Sequence, residues 1–342
     1  MKDRHAVVSE GAADTGAGGA THTMSNNLLA DLQRVPDLQV ETGVPMSLHT
    51  SFGIGGPADI LVTPITAEAL AQTLKVLHDA GEKPLVLGKG TNMLVLDGGI
   101  RGVVLKLAGG MQSVMIEDDT VTAESGARLA CICRTCADNG LSGLEWAAGI
   151  PGTLGGALNM NAGANGGEIG QLTEWVTVAT YCGELMTLNR DELSFGYRTS
   201  IFQTMDAVIA RACLKLEHSC AADVRKKMHD VVQLRCEKQP VAMPSAGCIF
   251  KRPLNDYAGR LLEEAGAKGM QVGGAVVSPK HANFIVNVGG ATAQDVLELI
   301  DLVQGRVREL FGVELHTEVC VVGEPLPRAK SGCVTTLTHA TK

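Results

Sequence analysis

The chain is poor in aromatic side chains, with two Trp, three Tyr and six Phe in 342 residues. Base-stacking platforms for single-stranded nucleic acid draw on more aromatic surface than that. Its formal net charge of −8 leaves no basic excess to neutralise a phosphate backbone, so a nucleic-acid partner is excluded. No run of 18 apolar residues occurs, so no membrane-spanning helix is expected and no membrane partner. The first twenty residues, MKDRHAVVSEGAADTGAGGA, lack the apolar core of a secretory signal. A reducing cytoplasm is therefore the expected location, where the ten cysteines stay free. Residues 1–24 are rich in small and polar residues without periodicity and read as a disordered extension, with Met24 as an alternative start. Residues 326–342 read as a flexible tail.

What the chain has in excess is glycine, 41 residues, clustered and not periodic. Clusters of that kind mark backbone turns near a ligand, whereas a collagen repeat would be regular. The tightest cysteine group, Cys131, Cys133 and Cys136, lacks a nearby fourth Cys or His to complete a zinc set. It falls on a helical pattern over 127–138 with Leu129, Ile132, Cys133 and Cys136 facing inward, which reads as free buried thiols and no metal. Strand-like runs at 58–64 and 84–88 flank a helical pattern with apolar residues at 70, 74 and 77. A polar helix is expected over 221–237, and an amphipathic one near 292–311 with Val296, Ile300, Val303, Val307 and Leu310 on one face. The segment GVELHTEVCVVG alternates as a final strand, with Val313, Leu315, Val319 and Val321 on one side. Glu314, His316, Glu318 and Cys320 lie on the other.

Two loops invite a cofactor reading. PLVLGKGTNMLV ends a strand in Gly88-Lys89-Gly90-Thr91-Asn92, yet it satisfies neither common nucleotide motif. A Walker A loop fails because Gly90 follows Lys89 and Lys83 stands where the first glycine belongs. A dinucleotide fingerprint fails at Met93. What survives is main chain free to approach phosphate. The longer stretch, GLSGLEWAAGIPGTLGGALNMNAGANGGEIG, strings Gly149, Gly152, Gly155 and Gly156 around Pro151, with Asn159, Asn161 and Asn165 adding amides. Such a path suits an extended, charged and planar cofactor.

Seven segments in order resemble one family: HTSFGIGGPADILV, LGKGTNMLV, GLEWAAGIPGTLGGALNMNAGANGGEIG, FGYRTSIFQ, PSAGCIFKRP, GAKGMQVGGAVVSPKHANFIVN and LHTEVCVVG. The resemblance is to the UDP-N-acetylenolpyruvoylglucosamine reductases, the MurB-type flavoenzymes of peptidoglycan synthesis, in their shorter type II form. It runs from about residue 45 to 324. It implies an α+β fold: an FAD-binding flavin domain of the vanillyl-alcohol oxidase (PCMH) type in two lobes, then an α+β substrate-binding domain. The boundaries it implies are 25–108, 109–220 and 221–325. Also implied are non-covalent FAD, NADPH as reductant, a nucleotide-sugar substrate, and a monomer. The implied reaction moves hydride to C3 of an enolpyruvyl group and a proton to C2, giving UDP-N-acetylmuramate.

Site residues follow from the same resemblance. Arg198 in GYRTS matches the family's catalytic arginine, and Glu318 matches its glutamate on the last strand. Cys248 stands where the family usually has the serine that protonates C2. A thiol is a stronger acid than a hydroxyl, so cysteine suits that role, at the price of oxidation if partly ionised. FAD is expected on Gly88, Lys89, Gly90, Thr91 and Asn92, and on Gly149, Ile150, Pro151, Gly152, Thr153, Gly155, Gly156, Asn161, Ala162 and Gly163. Lys251, Arg252, Lys280, His281 and Asn283 are expected near the substrate. Two other readings compete: a different flavin oxidoreductase on the same scaffold, and a non-catalytic nucleotide-sugar binder. Yellow colour left in solution after acid precipitation separates non-covalent flavin from both.

Overall fold

The computed structural model describes residues 26–326. The expected N-terminal extension and all but the first residue of the tail lie outside that range. Helices within it are α1 (Asn26–Gln33), α2 (Ala67–Asp79), α3 (Leu129–Asp138), α4 (Leu154–Asn159), α5 (Ile169–Leu172), α6 (Ala221–Lys238), α7 (Ala258–Glu264) and α8 (Ala293–Phe311).

A first unit is a four-stranded sheet in the order 38–45, 57–64, 100–106, 85–87, antiparallel at the first pair and parallel at the others. Its inner strands are nearly continuous apolar runs, as parallel strands covered on both faces must be. Leu70, Leu74 and Leu77 of α2 cover one face together with Leu28 and Leu32 of α1. Thr66 caps α2 by accepting from Ala69 N at 3.1 Å. A second unit is a five-stranded antiparallel sheet, 185–189, 173–180, 207–215, 120–124, 114–117. Here α3 and α4 pack on it through Ile132, Cys133, Leu154 and Leu158.

A third unit pairs strands 271–272, 275–277 and 285–287 with α7 and α8. Helix α8 opens on a reciprocal Thr292–Asp295 cap and ends at Gly312 with φ 66°. Asp97 from the first unit accepts from Ala293 N and Gln294 N, which fixes the helix start against that sheet. Val296, Ile300, Val303 and Val307 are buried as expected, but Leu310 is 56% exposed. The buried stripe stops at Val307, and the last turn of α8 projects beyond the core.

The closing segment differs from a continuous strand. Only Cys320–Val322 is strand, parallel to Met93–Val95. Upstream, the chain pairs instead with the segment after Cys248: Lys251 N donates to His316 O, and Glu318 N to Ile249 O. Leu315 and Val319 are buried, whereas Val321 is 41% exposed because the backbone has changed partner by then. The cysteines are also less uniform than a core reading suggests. Cys133, Cys136 and Cys213 are buried, but Cys131, Cys182, Cys220, Cys236 and Cys320 are exposed. No helix in the described residues is long and apolar enough to cross a membrane.

Candidate functional site

The two glycine loops meet to form one wall. Thr91 Oγ1 donates to Pro151 O at 3.1 Å, and a Cβ at Gly88 would stand 2.8 Å from Thr153 Oγ1. Gly90 is held at φ 63°, and a Cβ there would come within 2.4 Å of His49 O. Only glycine fits both the dihedral and the space. A cavity of about 340 Å³ opens on this wall, a size usual for ligand sites. Gly88, Lys89, Gly90, Thr91, Asn92, Ile150, Pro151, Gly152, Thr153, Gly156, Ala162 and Gly163 line it. Gly155 and Asn161 stand behind the wall, and Gly149 packs against the Arg235 side chain. Gly155 N donates to Ser125 O, and Asn161 is 2% exposed with its amide bound to Glu168, Gly196 O and Gly170 N.

Arg198 projects from a tight turn closed by bridging between Gly196 and Thr199. Its backbone sits at φ 55°, a left-handed conformation uncommon outside glycine and typical of strained functional loops. Neighbours hold that turn. Gln203 Nε2 donates to Arg198 O at 3.1 Å and to Asn159 O at 2.8 Å, and Asn161 Nδ2 donates to Gly196 O at 3.0 Å. The Arg198 guanidinium forms an ion pair with Glu318, Nε to Oε1 2.9 Å, with side chains only 26% and 14% exposed. Asn92 fixes Glu318 from the other side, its Nδ2 donating to Glu318 O at 3.2 Å. Burial raises the Glu318 carboxyl above the usual range, more than the nearby Arg198 and Lys251 lower it.

Cys248 sits in the turn between α6 and α7. Burial first, then the charge of Glu318, pushes its thiol up to about 11, against the opposing pull of Arg198 and Arg235. It is therefore protonated at neutral pH, which removes the partial ionisation that a thiol at its ordinary value would show. Asn283 pins this turn. Its Oδ1 accepts from Phe250 N and its Nδ2 donates to Phe250 O, each at 2.9 Å, while Ile249 N donates to Asn283 O. Its amide holds the turn through main chain, and the residue also lines a second cavity.

A second cavity, about 510 Å³, adjoins the first and is lined by Tyr197, Arg252, Tyr257, Arg260, Lys280 and His281 among others. Arg252 lies over the Tyr257 ring at 4.1 Å, and Lys280 Nζ donates to Cys236 O at the end of α6. Burial lowers the His281 imidazole. Lys251 lines neither cavity and acts at a distance on Glu318 and Cys320. Three residues line both cavities: Arg198, Cys248 and Glu318. Sequence reasoning passed over Arg235, Gln239 and Cys320 on the first cavity and Tyr197, Tyr257 and Arg260 on the second. Cys320 carried a signal, since it shares the Glu318 side of the alternating segment.

The residues fit a flavin nucleotide. Two loops of open main chain suit a pyrophosphate, and two buried polar atoms at the end of α6, Arg235 Nε and Gln239 Oε1, have no partner within the protein. Comparison with known proteins agrees. Residues 58–189 match an FAD binding domain, and residues 239–322 match the C-terminal domain of UDP-N-acetylenolpyruvoylglucosamine reductase. A UDP-N-acetylenolpyruvoylglucosamine reductase from Clostridium botulinum (strain 657 / Type Ba4) is 45% identical over 280 residues, 82% of this chain and 91% of that one. One from Syntrophomonas wolfei is 45% identical over 293 residues, 85% and 97% of the two chains. The crystal structure of the Thermus caldophilus reductase (MurB) superposes with a TM-score of 0.72 at 38% identity, covering 83% of this chain and 99% of that one. The two-lobed flavin-binding fold, the adjoining third unit and this identity over most of the chain place it in the UDP-N-acetylenolpyruvoylglucosamine reductase family.

Proposed function

We propose that this chain reduces the enolpyruvyl ether of UDP-N-acetylglucosamine to UDP-N-acetylmuramate, a step of peptidoglycan precursor synthesis, with FAD bound non-covalently and NADPH as reductant. One observation carries the assignment of roles: Arg198, Cys248 and Glu318 are the residues common to both cavities. They stand at the boundary between a site built for a flavin and one rich in cations and aromatic rings. FAD, when bound, accepts hydride from NADPH and supplies it to C3 of the substrate.

The loops at Gly88–Asn92 and Ile150–Gly163 hold the cofactor through main chain. In the second cavity Arg252 and Lys280 offer positive charge to a diphosphate, Arg260 being paired with Asp256 and Glu264, and Tyr197 and Tyr257 offer ring faces. Arg198 meets the enolpyruvyl carboxylate, where negative charge gathers as C3 is reduced, and a fixed guanidinium stabilises that charge without reorganising. Glu318, paired with Arg198, would repel an arriving carboxylate if it remained ionised. Its raised pKa lets it take a proton and stand beside the substrate as a neutral donor. Cys248 Sγ hands its proton to C2, and the resulting thiolate is offset by Arg198 and Arg235, whose charges both favour it. Asn283 and Gln203 position the Cys248 and Arg198 turns.

The residue ranges 25–108, 109–220 and 221–325 serve as the two flavin lobes and the substrate domain, and the chain acts as a cytoplasmic monomer. Turnover in deuterated water tests the chemistry. The product of FAD-loaded protein, NADPH and the enolpyruvyl nucleotide sugar should carry one solvent deuterium, at C2. Absence of that product, or deuterium at C3 alone, would overturn the reading.

A further inference from the structure

Residues 281–284 form a turn closed by Phe284 N, which donates to His281 O at 3.0 Å. Inside it, Asn283 N donates to His281 Nδ1 at 3.2 Å. Asn283 is 6% exposed, and among the described residues nothing else accepts from that amide. A buried N–H needs a partner, so the imidazole nitrogen completes the turn. The ring is itself held in place. Phe284 meets it edge-on with centroids 5.0 Å apart, and a Cβ at Gly259 of α7 would stand 3.2 Å from its Cε1.

The turn reaches Cys248 through Asn283. The main-chain oxygen of Asn283 accepts from Ile249 N, and its amide takes both polar groups of Phe250. The two residues that follow Cys248 therefore hang from Asn283, and the Asn283 N–H hangs from His281. An imidazole accepts through Nδ1 only while that nitrogen is bare and the proton sits on Nε2. A second proton, taken from solvent, turns Nδ1 into a donor that faces the Asn283 N–H.

The surroundings keep the ring neutral. Burial first, and then the charge of Lys268, lower the imidazole, with Glu263 opposing. Lys268 and Glu263 pair with each other at 2.6 Å. The other charged or titratable groups on the cavity that His281 lines are Arg260, Lys280, Arg198, Glu318 and Cys248. Arg260 is paired with Asp256 and Glu264, Lys280 with Cys236 O, and Arg198 with Glu318.

We propose that His281 is a positioning residue for the protonation step: its neutral imidazole holds the Asn283 turn and, through it, the Cys248 thiol, and its own protonation in acid releases both. This role rests on Cys248 being the donor to C2. Transfer of hydride from NADPH to the flavin does not use the thiol, so that half of the reaction is untouched.

Turnover of FAD-loaded protein with NADPH and the enolpyruvyl nucleotide sugar, followed across pH, tests the role. Wild type should lose kcat along an acid limb below about 6.5, the ordinary histidine value. His281→Leu, with no acceptor, should lower kcat about tenfold or more, because a small misplacement of a reacting group slows the step. Flavin reduction by NADPH should keep its wild-type rate in that variant. His281→Asn, whose Oδ1 accepts as Nδ1 does and takes up no proton in this range, should recover most of kcat and abolish the acid limb. Chemical denaturation reads the same tie without turnover. A lowered histidine contributes stability above its unfolded value and loses it as pH falls through the folded one, so wild type should lose stability relative to His281→Asn in acid. An acid limb unchanged in His281→Asn, or full kcat in His281→Leu, would overturn the proposal. A raised KM for the nucleotide sugar with kcat intact would make His281 a substrate contact, and the proposal would be wrong. Absence of turnover in wild type would overturn the reductase reading and this role with it; a stability difference from His281→Asn that ignores pH would overturn this role alone.

Discussion

At Cys248 the burial that raises the thiol also determines when it reacts. Alkylation of its peptide, mapped by mass across a pH series, should rise only as pH approaches about 11. Half-alkylation near neutral pH would show that the thiol is not buried as described. Held protonated, it is a ready acid. Cys248→Ala should lower kcat by about 10²–10⁴-fold, with flavin reduction by NADPH intact, while Cys248→Ser retains substantial turnover. Glu318 gives a pH signature of the opposite kind to most carboxylates. Its pKa is raised in the folded chain, so its contribution to stability is present below its unfolded value and is lost as pH rises through the folded one. Glu318→Gln should therefore gain stability relative to wild type at neutral pH, and the gain should vanish in acid. A variant that is less stable at neutral pH would mean that the Arg198 ion pair outweighs burial.

Among the elements, those that pack by apolar periodicity were readable and those that bend toward the ligand were not. The Val296–Ile300–Val303–Val307 stripe of α8 follows directly from helical spacing, because its partner is the protein's own core. Helix α6 reads as polar on every side, and among its residues only Val224 is buried. Polarity toward solvent and polarity toward a ligand look alike in a sequence, so Arg235 was passed over. The segment around Glu318 alternates like a strand, yet it exchanges the Cys248 turn for strand 93–95 as its partner. Periodicity reports which side a residue faces and is silent about that exchange. Asn283 is the clearest element-scale test. Asn283→Leu strips Phe250 of both amide partners, and an unmet buried polar group costs about 1–3 kcal/mol. Chemical denaturation should register that loss, and kcat should fall while FAD affinity is retained. A fall in FAD affinity equal to the fall in kcat would contradict a role confined to the Cys248 turn.

Across the whole molecule, the first cavity, the one proposed for the flavin, draws its walls from all three units: Gly88–Asn92 from the first, the Ile150–Gly163 stretch from the second, and Cys248 with Glu318 from the third. A ligand that binds only the assembled form stabilises the entire chain. FAD at 100 times its Kd should add about 2.7 kcal/mol and move one cooperative transition upward. A transition that splits, with only part of it moving, would show that the third unit folds without regard to the cofactor. The glycine loops and the Arg198, Cys248 and Glu318 positions were legible because ordered motifs carry them. Their convergence on one boundary depends on long-range packing that no local pattern encodes. The most direct test of the account is to mix flavin-loaded protein anaerobically with NADPH and then add the enolpyruvyl nucleotide sugar. The flavin spectrum should bleach at the first addition and return at the second; bleaching that the substrate fails to reverse would contradict the assigned reaction.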